Sequence, residues 1–425
     1  MKVLWVCNIM LPMIAEELGL KASNREGWLT GLANMIRRNA GKNQIDLGIC
    51  FPVNTTSGAV RGEMEGIKYY GFYENVAKET EYESTLDASM EHILAEFQPD
   101  MVHIFGTEFP HTLAMTRAFD NPDHTLIGIQ GVCAACAEHY TDGIPPFVQR
   151  RYTLRDFLKK DNILDQQRKF TIRAEREAEA IKRVNHVAGR TTLDKEVSTS
   201  IHESIQYHFM NETLRSNFYG KKWDITKCKR HSIFVSQGDY PLKGFHYFLQ
   251  ALPSIRAVFP DTHVYVTGNQ ITRQDTLKSR LKISSYGRYL VQLIEENKLE
   301  NCITFLGMVN SEEMCYQMLK ANVFVSPSTM ENSPNSVGEA MLLGTPVVAS
   351  QVGGVASILT HDEDGFTYPV NEVNRLANYV CKFFSDDELA MQMSEHARAH
   401  AAKTHDPEEN YHTLMEIYND IYKLK

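Results

Sequence analysis

No apolar run in the 425 residues approaches the roughly 18 to 20 needed to cross a bilayer as a helix. A surplus of positive charge is missing too, since 44 Lys and Arg stand against 53 Asp and Glu and leave a net charge of −9. That balance argues against nucleic acid as the main partner, because phosphate neutralisation needs a basic surface. It also disfavours broad attachment to an anionic membrane, although a local basic patch is still able to bind one. Cysteine is sparse and scattered, eight in all, which fits reduced thiols rather than a disulfide framework. One pair stands out, Cys133-Ala134-Ala135-Cys136 with His139 beyond it. Zinc lacks a fourth ligand there, and haem attachment needs His where Ala137 stands, so small buried thiols are the expectation and no metal is assigned. Short repeats and low-complexity tracts are absent as well.

What is present is globular composition, 43% hydrophobic and 23% charged, in a chain long enough for two domains of roughly 200 residues each. The opening Val3-Leu4-Trp5-Val6 is followed by Asn8, Pro12 and Glu16-Glu17, which reads as a buried first strand rather than a secretory signal, and a cytoplasmic location is expected. A second start appears at Ile233-Phe234-Val235, after a polar stretch. Strands then alternate with helical patterns: His263 to Thr267, Ile303 to Leu306, Val323 to Val325 and Pro346 to Ala349, with helices near Phe245 to Val258 and Gly338 to Leu343. In the first half Leu29, Leu32, Met35 and Ile36, with Trp28, keep helical spacing, while Asp46 to Cys50 and Met101 to Phe105 read as buried strands. Such alternation implies parallel sheets with helices on both faces, and two such units side by side imply a ligand cleft at the carboxyl ends of the strands. The division expected is 1–218 and 219–405, with a C-terminal helix in 406–425 docking on a domain surface, the first domain's included. The stretch Asp165 to Val184 reads as a solvated amphipathic helix; an acceptor- or membrane-facing role for it, together with Arg150, Arg151 and Arg155, is the other reading.

The informative segment runs from Ser326 to Met341. Pro334 prevents one continuous helix from Glu331 to Glu339, so the two carboxylates are expected on different elements, a loop and a first helical turn. Such a pair is able to grip hydroxyls at two separated points of a ligand, and the amides between them offer donors to an anion. The plain alternative is structural: Ser336-x-x-Glu339 also spells a capping box, and Glu331 also suits a surface loop. A second constellation, Ser236 to Gly244, lies where a strand turns into a helix. Lys243 there would stabilise negative charge growing on a leaving group, or simply be solvated.

The segment 326–341 resembles the E-x7-E signature of glycosyltransferase family 4, the retaining enzymes with two Rossmann-like domains called the GT-B fold. The match continues through Gly344 to Ser350, Gly353-Gly354, Asp364-Gly365-Phe366 and Phe305-Leu306-Gly307. The resemblance implies an α/β, GT-B architecture, a first domain for the acceptor and a second for a nucleotide-diphosphate sugar. It implies that Glu331 contacts the transferred sugar, Glu339 the ribose, and Lys243 the diphosphate. Asn332, Ser333, Asn335 and Ser336 would face sugar and diphosphate through their amides. An Arg common five residues before the Lys is Gly238 here, so another cation substitutes or Lys243 carries more of the load. On the acceptor side the resemblance points to Gly27, beside Glu26, in place of a Gly-Gly loop, to Glu108 at a strand end, and to Gln130 where a His is frequent. Gln130 is limited to orienting hydroxyls. His103 is expected to be a core histidine.

Together these imply a retaining hexosyltransferase that needs no metal or cofactor and acts on a glycan or lipid-linked acceptor in polysaccharide or glycoconjugate biosynthesis, with peripheral membrane contact left open. Three rivals stand: a metal-dependent transferase using Asp362-Glu363-Asp364, a catalytically silent sugar-nucleotide binding subunit, and a nucleotide-sugar epimerase of similar fold.

Overall fold

Val3 to Val6 are fully shielded from solvent, which is what a strand covered on both faces requires. The computed structural model describes residues 1–20, 27–54 and 60–423, without the side chains of Trp28, Lys42 and Asn43. It separates into two units, one made of Met1–Ala134, Lys169–Leu214 and Thr404–Lys425, the other of Ala135–Arg168 and Arg215–Lys403.

The first unit is built on eight strands, Lys2–Val6 (β1), Asp46–Val53 (β2), Arg61–Met64 (β3), Ile67–Tyr73 (β4), Met101–Phe105 (β5), Thr125–Gly128 (β6), His186–Gly189 (β7) and Gln206–Phe209 (β8). They lie in the order β3-β4-β2-β1-β5-β6-β7-β8. Neighbours are parallel, with Val3 opposite Leu47 and Met101, except for the β3–β4 pair at one edge. The strands β3, β4, β6, β7 and β8 are not among those the sequence pattern predicts. The helix Gly27–Arg38 buries Leu29, Leu32, Met35 and Ile36 as its spacing predicts. The helix Pro407–Tyr422 packs in the same core through Tyr411, Leu414, Tyr418 and Ile421. Its Tyr418 hydroxyl accepts from Trp5 Nε1 at 2.8 Å and donates to His103 Nδ1 at 2.7 Å. Burial pushes His103 down to about 3, so it is a neutral core histidine.

The second unit has six strands, Ser232–Val235 (β9), His263–Thr267 (β10), Ile303–Gly307 (β11), Val323–Ser326 (β12), Val347–Ser350 (β13) and Phe366–Tyr368 (β14). The order β11-β10-β9-β12-β13-β14, all parallel, is that of a Rossmann sheet. The order reverses between β9 and β12, and both strands are completely buried.

The expected division at 218/219 is corrected by the structure. Ala135–Arg168 belongs with the second unit, because its polar groups are satisfied there. The buried Asp156 carboxylate accepts from the Ser285 amide at 2.8 Å. His246 Nε2 donates to the Asp142 carbonyl at 2.9 Å, and Thr329 Oγ1 donates to the His139 carbonyl at 3.2 Å. These partners lie roughly a hundred residues or more along the chain, beyond any local pattern. No helix among the described residues is long and apolar enough to cross a membrane.

Candidate functional site

In a doubly wound sheet, the crossovers leave opposite faces at the point where strand order reverses, so the loops after those two strands splay apart and leave a crevice. In the second unit these are the loops after β9 and β12, the ones that carry Lys243 and Glu331. Lys243 ends a single helical turn, Pro241–Lys243, and Gly244 follows at φ +61°. A Cβ at Gly244 would run into the Pro327 carbonyl, so only glycine lets the two loops approach this closely. The Thr329 amide donates to the Leu242 carbonyl at 2.8 Å, which fixes one loop on the other. Lys243 Nζ then lies 2.6 Å from Glu331 Oε1, and Ser328 Oγ donates to the same oxygen at 2.7 Å. From behind, the Gly354 amide holds the Glu331 carbonyl at 3.0 Å. Burial acts to lower the Lys243 ammonium, but Glu331 and Tyr240 beside it outweigh that and raise it above its usual value. The lysine is a fixed cation.

Glu339 is corrected in two respects. The helix runs Asn335–Leu343, with Pro334 as its N-cap, so Glu339 sits in the second turn rather than the first. No side chain caps that N-terminus, and the capping box with Ser336 does not form. Instead Arg215 Nε and Nη2 reach Glu339 Oε1 and Oε2, both at 2.6 Å. Burial raises the Glu339 carboxyl even though Arg215 pulls the other way. Arg215 was not foreseen, because its partner is 124 positions away.

Asn332, Ser333, Asn335 and Ser336 line the turn between Glu331 and Glu339, Asn332 buried and the other three partly so. Gly238 is buried in the loop after β9. A Cβ there would meet Val266 at 3.0 Å and Phe245 at 3.1 Å, so a longer side chain is not accommodated without displacing them. Asp362-Glu363-Asp364 forms a turn before β14, where the buried Asp364 accepts from the Thr360 amide at 3.1 Å and contacts His400 Nδ1 at 2.6 Å.

The first unit has a switch point of its own, between β1 and β5. Asn8 follows β1 and donates to Glu108 Oε2, beyond β5, at 3.3 Å. Arg173 Nε holds the Glu108 carbonyl at 3.0 Å. The buried His111 faces Glu74 Oε2 through Nδ1 at 2.6 Å and Asn8 Oδ1 through Nε2 at 2.9 Å. Beside them Glu177 accepts from Thr107 and from the Cys133 amide. The sequence pattern puts Glu177 on a solvated face, but it is buried, and burial pushes its carboxyl up to about 7 against those two hydrogen bonds. Gln130, after β6, donates to Glu212 Oε1 at 2.6 Å, and Arg190 pairs with Glu212 Oε2 at 2.8 Å. Gly27 opens the helix Gly27–Arg38; Glu26 lies outside the described residues. Asn8, Glu74, His111 and Glu177 carry no local motif, and only the strand order brings them together.

Residues 217–400 match the family model described as Glycosyl transferases group 1. A D-inositol 3-phosphate glycosyltransferase of Corynebacterium urealyticum is 27% identical over 186 residues, which cover 42% of this chain and 41% of that protein. The putative colanic acid biosynthesis glycosyltransferase WcaL of Escherichia coli is 30% identical over 139 residues, 30% of this chain and 34% of that one. Across three such curated relatives the match spans only 41%, 56% and 37% of their lengths. Among solved structures, sucrose-phosphate synthase from Thermosynechococcus elongatus has a TM-score of 0.73 at 14% identity, with both chains fully covered. Anabaena Alr3699/HepE in complex with UDP-glucose has a TM-score of 0.67 at 16% identity, covering 99% of this chain and 100% of that one. At such identities the likeness is one of fold, and that fold is the α/β, GT-B class of two Rossmann-like domains.

Proposed function

For a chain whose residues 217–400 match the glycosyl transferases group 1 family model, we propose retaining transfer of a sugar from a nucleotide-diphosphate donor to a hydroxyl of a glycan or lipid-linked acceptor. The observation that carries this reading is the meeting of Lys243 and Glu331 at 2.6 Å across the switch point of the second unit. Breaking a sugar–phosphate bond leaves growing negative charge on the diphosphate. A cation already fixed in place stabilises that charge without reorganising. Lys243 has this role, assisted by the amides of the Asn332 to Ser336 turn. Glu331 grips hydroxyls of the transferred sugar, and Glu339 accepts from the ribose. With Gly238 in place of a second cation, leaving-group stabilisation rests chiefly on Lys243.

The acceptor hydroxyl attacks the face that the diphosphate leaves, so configuration is kept and no enzymatic nucleophile is needed. On the first unit Glu108 and Gln130 orient acceptor hydroxyls, each fixed by a neighbour, Asn8 and Glu212 respectively. Gly27, at the start of its helix, would allow the acceptor to approach the backbone closely. Neither a metal nor a cofactor takes part. Among the curated relatives are a phosphatidyl-myo-inositol mannosyltransferase and a putative colanic acid biosynthesis glycosyltransferase, and those names support the same setting here.

A thermal-shift screen of nucleotide sugars tests the donor, since a ligand at 100 times its dissociation constant adds about 2.7 kcal/mol. Release of nucleotide diphosphate, with and without candidate acceptors, then tests turnover. The closed space at Gly238 favours one second reading, a silent sugar-nucleotide binding subunit. Donor binding with no hydrolysis and no transfer across a broad acceptor panel would establish that reading instead.

A further inference from the structure

Among the described residues, fourteen large hydrophobic side chains are exposed, and five of them fall within residues 147–158: Phe147, Tyr152, Leu154, Phe157 and Leu158. Singly exposed apolar residues are ordinary, but a cluster of this density on a soluble surface marks an interaction site. Leu154, Phe157 and Leu158 follow the i, i+3, i+4 spacing of one helical face in Leu154–Lys159, with Phe157 71% and Leu158 72% exposed.

The segment is anchored. Thr153 and Asp156 cap the helix reciprocally, Asp156 is buried and takes the Ser285 amide, and Arg155 bridges Asp156 at 2.9 Å and Asp161 at 2.7 Å. Val148 and Ile163 are buried on either side. Arg155 and Asp156 of this helix therefore turn toward the protein and its apolar residues outward, the reverse of a helix that packs on a core.

Charge selects the partner. Arg150, Lys159 and Lys160 are exposed next to these side chains and have no ion-pair partner among the described residues. Arg151 lies over the Phe147 ring at 5.7 Å. The acids of the segment are already engaged: Asp156 and Asp161 with Arg155, and Asp165 with Tyr152 at 2.9 Å. A local cationic rim around an apolar patch thus stands out on a chain of net charge −9. A second copy of this face would set Lys159 and Lys160 against cations of the same sign, whereas an anionic lipid surface meets both the charge and the apolar side chains. We infer that residues 147–160 dock this protein on the surface of an anionic bilayer, with Phe147, Leu154, Phe157 and Leu158 inserted at headgroup depth and Arg150, Lys159 and Lys160 on lipid phosphates.

The inference lies outside the residues that match the family, and it does not depend on the proposed reaction. The full chain is to be sedimented with vesicles of phosphatidylcholine alone and of phosphatidylcholine mixed with phosphatidylglycerol. The protein is expected to pellet with the mixed vesicles only, and less as salt is raised. Phe157→Ser with Leu158→Ser abolishes pelleting, while its thermal melt matches the parent because both side chains are exposed. Lys159→Gln with Lys160→Asn weakens it about 30-fold, on the order expected for two cations near the surface; asparagine tolerates the left-handed backbone at 160. Failure of the parent to pellet with mixed vesicles overturns the inference, as does equal pelleting with neutral ones. A dimer seen by analytical ultracentrifugation that Phe157→Ser with Leu158→Ser dissolves also overturns it, because the face would then be a contact between copies.

Discussion

Glu331 accepts two hydrogen bonds on the same oxygen, from Lys243 at 2.6 Å and from Ser328 at 2.7 Å, although Lys243 and Glu331 are 88 residues apart in the chain. The pair orients both groups before any ligand arrives. If the lysine stabilises the leaving diphosphate, its loss appears in turnover rather than in folding. Lys243→Ala is expected to lower kcat by about 10² to 10³, measured as release of nucleotide diphosphate in the presence of acceptor. Near-normal turnover removes the lysine from the mechanism.

Lys243 and Glu331 were legible in the sequence because each sits in a short run whose residue order carries its meaning, a Lys-Gly at a helix start and an acid before Ser-Pro-Asn. The strands β1, β2, β5 and β9 to β13 were legible for the same reason, being apolar runs bounded by turn residues. Arg215 and the segment 135–168 were not. Their positions are decided by partners far along the chain, such as Glu339 and Ser285, and one sequence holds no local trace of such pairings. Glu177 was misread because an acid among alternating charges on a helix resembles a solvated face until Thr107 and Cys133 close over it.

Gly244 stands at φ +61° with the Pro327 carbonyl where a Cβ would go. Gly244→Ala therefore costs more than the roughly 1 kcal/mol of an ordinary glycine replacement and pushes the Lys243 loop off the Glu331 loop. Both melting temperature and kcat fall. Gly238→Ala, where the nearest atoms are side chains of Val266 and Phe245 at 3.0 and 3.1 Å, falls less in both.

The Arg215–Glu339 pair has a different signature. Both carboxylate oxygens are taken, and the Glu339 side chain is almost wholly buried. Arg215→Met leaves a buried carboxylate without its partner and is expected to lose about 3 to 5 kcal/mol of stability. Arg215→Met with Glu339→Gln recovers a large part of that loss, because no charge is left stranded. Denaturant midpoints measure both. If Glu339 also holds the ribose, the double variant regains stability without regaining donor affinity; recovery of both confines the glutamate to a structural role.

Glu177 adds a pH dependence of its own to the first unit. Its carboxyl is raised from an ordinary 4.5 to about 7 by burial. The folded state therefore holds the proton more tightly than the unfolded chain. The contribution of Glu177 to stability is fullest below 4.5 and is lost as pH rises to 7, by roughly 3 kcal/mol in all, against the opposite trend of the buried neutral His103. Glu177→Gln keeps the shape and removes the charge, so its stability relative to the parent is expected to rise over that interval and to exceed the parent's at about pH 8. Urea midpoints at about pH 5 and about pH 8 decide it: the same difference between parent and variant at both pH values would assign the titration to another group.

Tyr418 offers a test that separates folding from chemistry. Its hydroxyl is the hydrogen-bond partner of both Trp5 Nε1 and His103 Nδ1, and all three side chains are fully buried. Tyr418→Phe retains the ring but strands a donor on β1 and an acceptor on β5, each costing about 1 to 3 kcal/mol. The indole cannot turn to water and the imidazole, already lowered to about 3, gains nothing by protonation. The variant is therefore expected to unfold at lower denaturant while turnover per folded molecule stays at the parent level, since neither Lys243 nor Glu331 touches this core. Loss of turnover at full stability would instead couple the docked C-terminal helix to the chemistry.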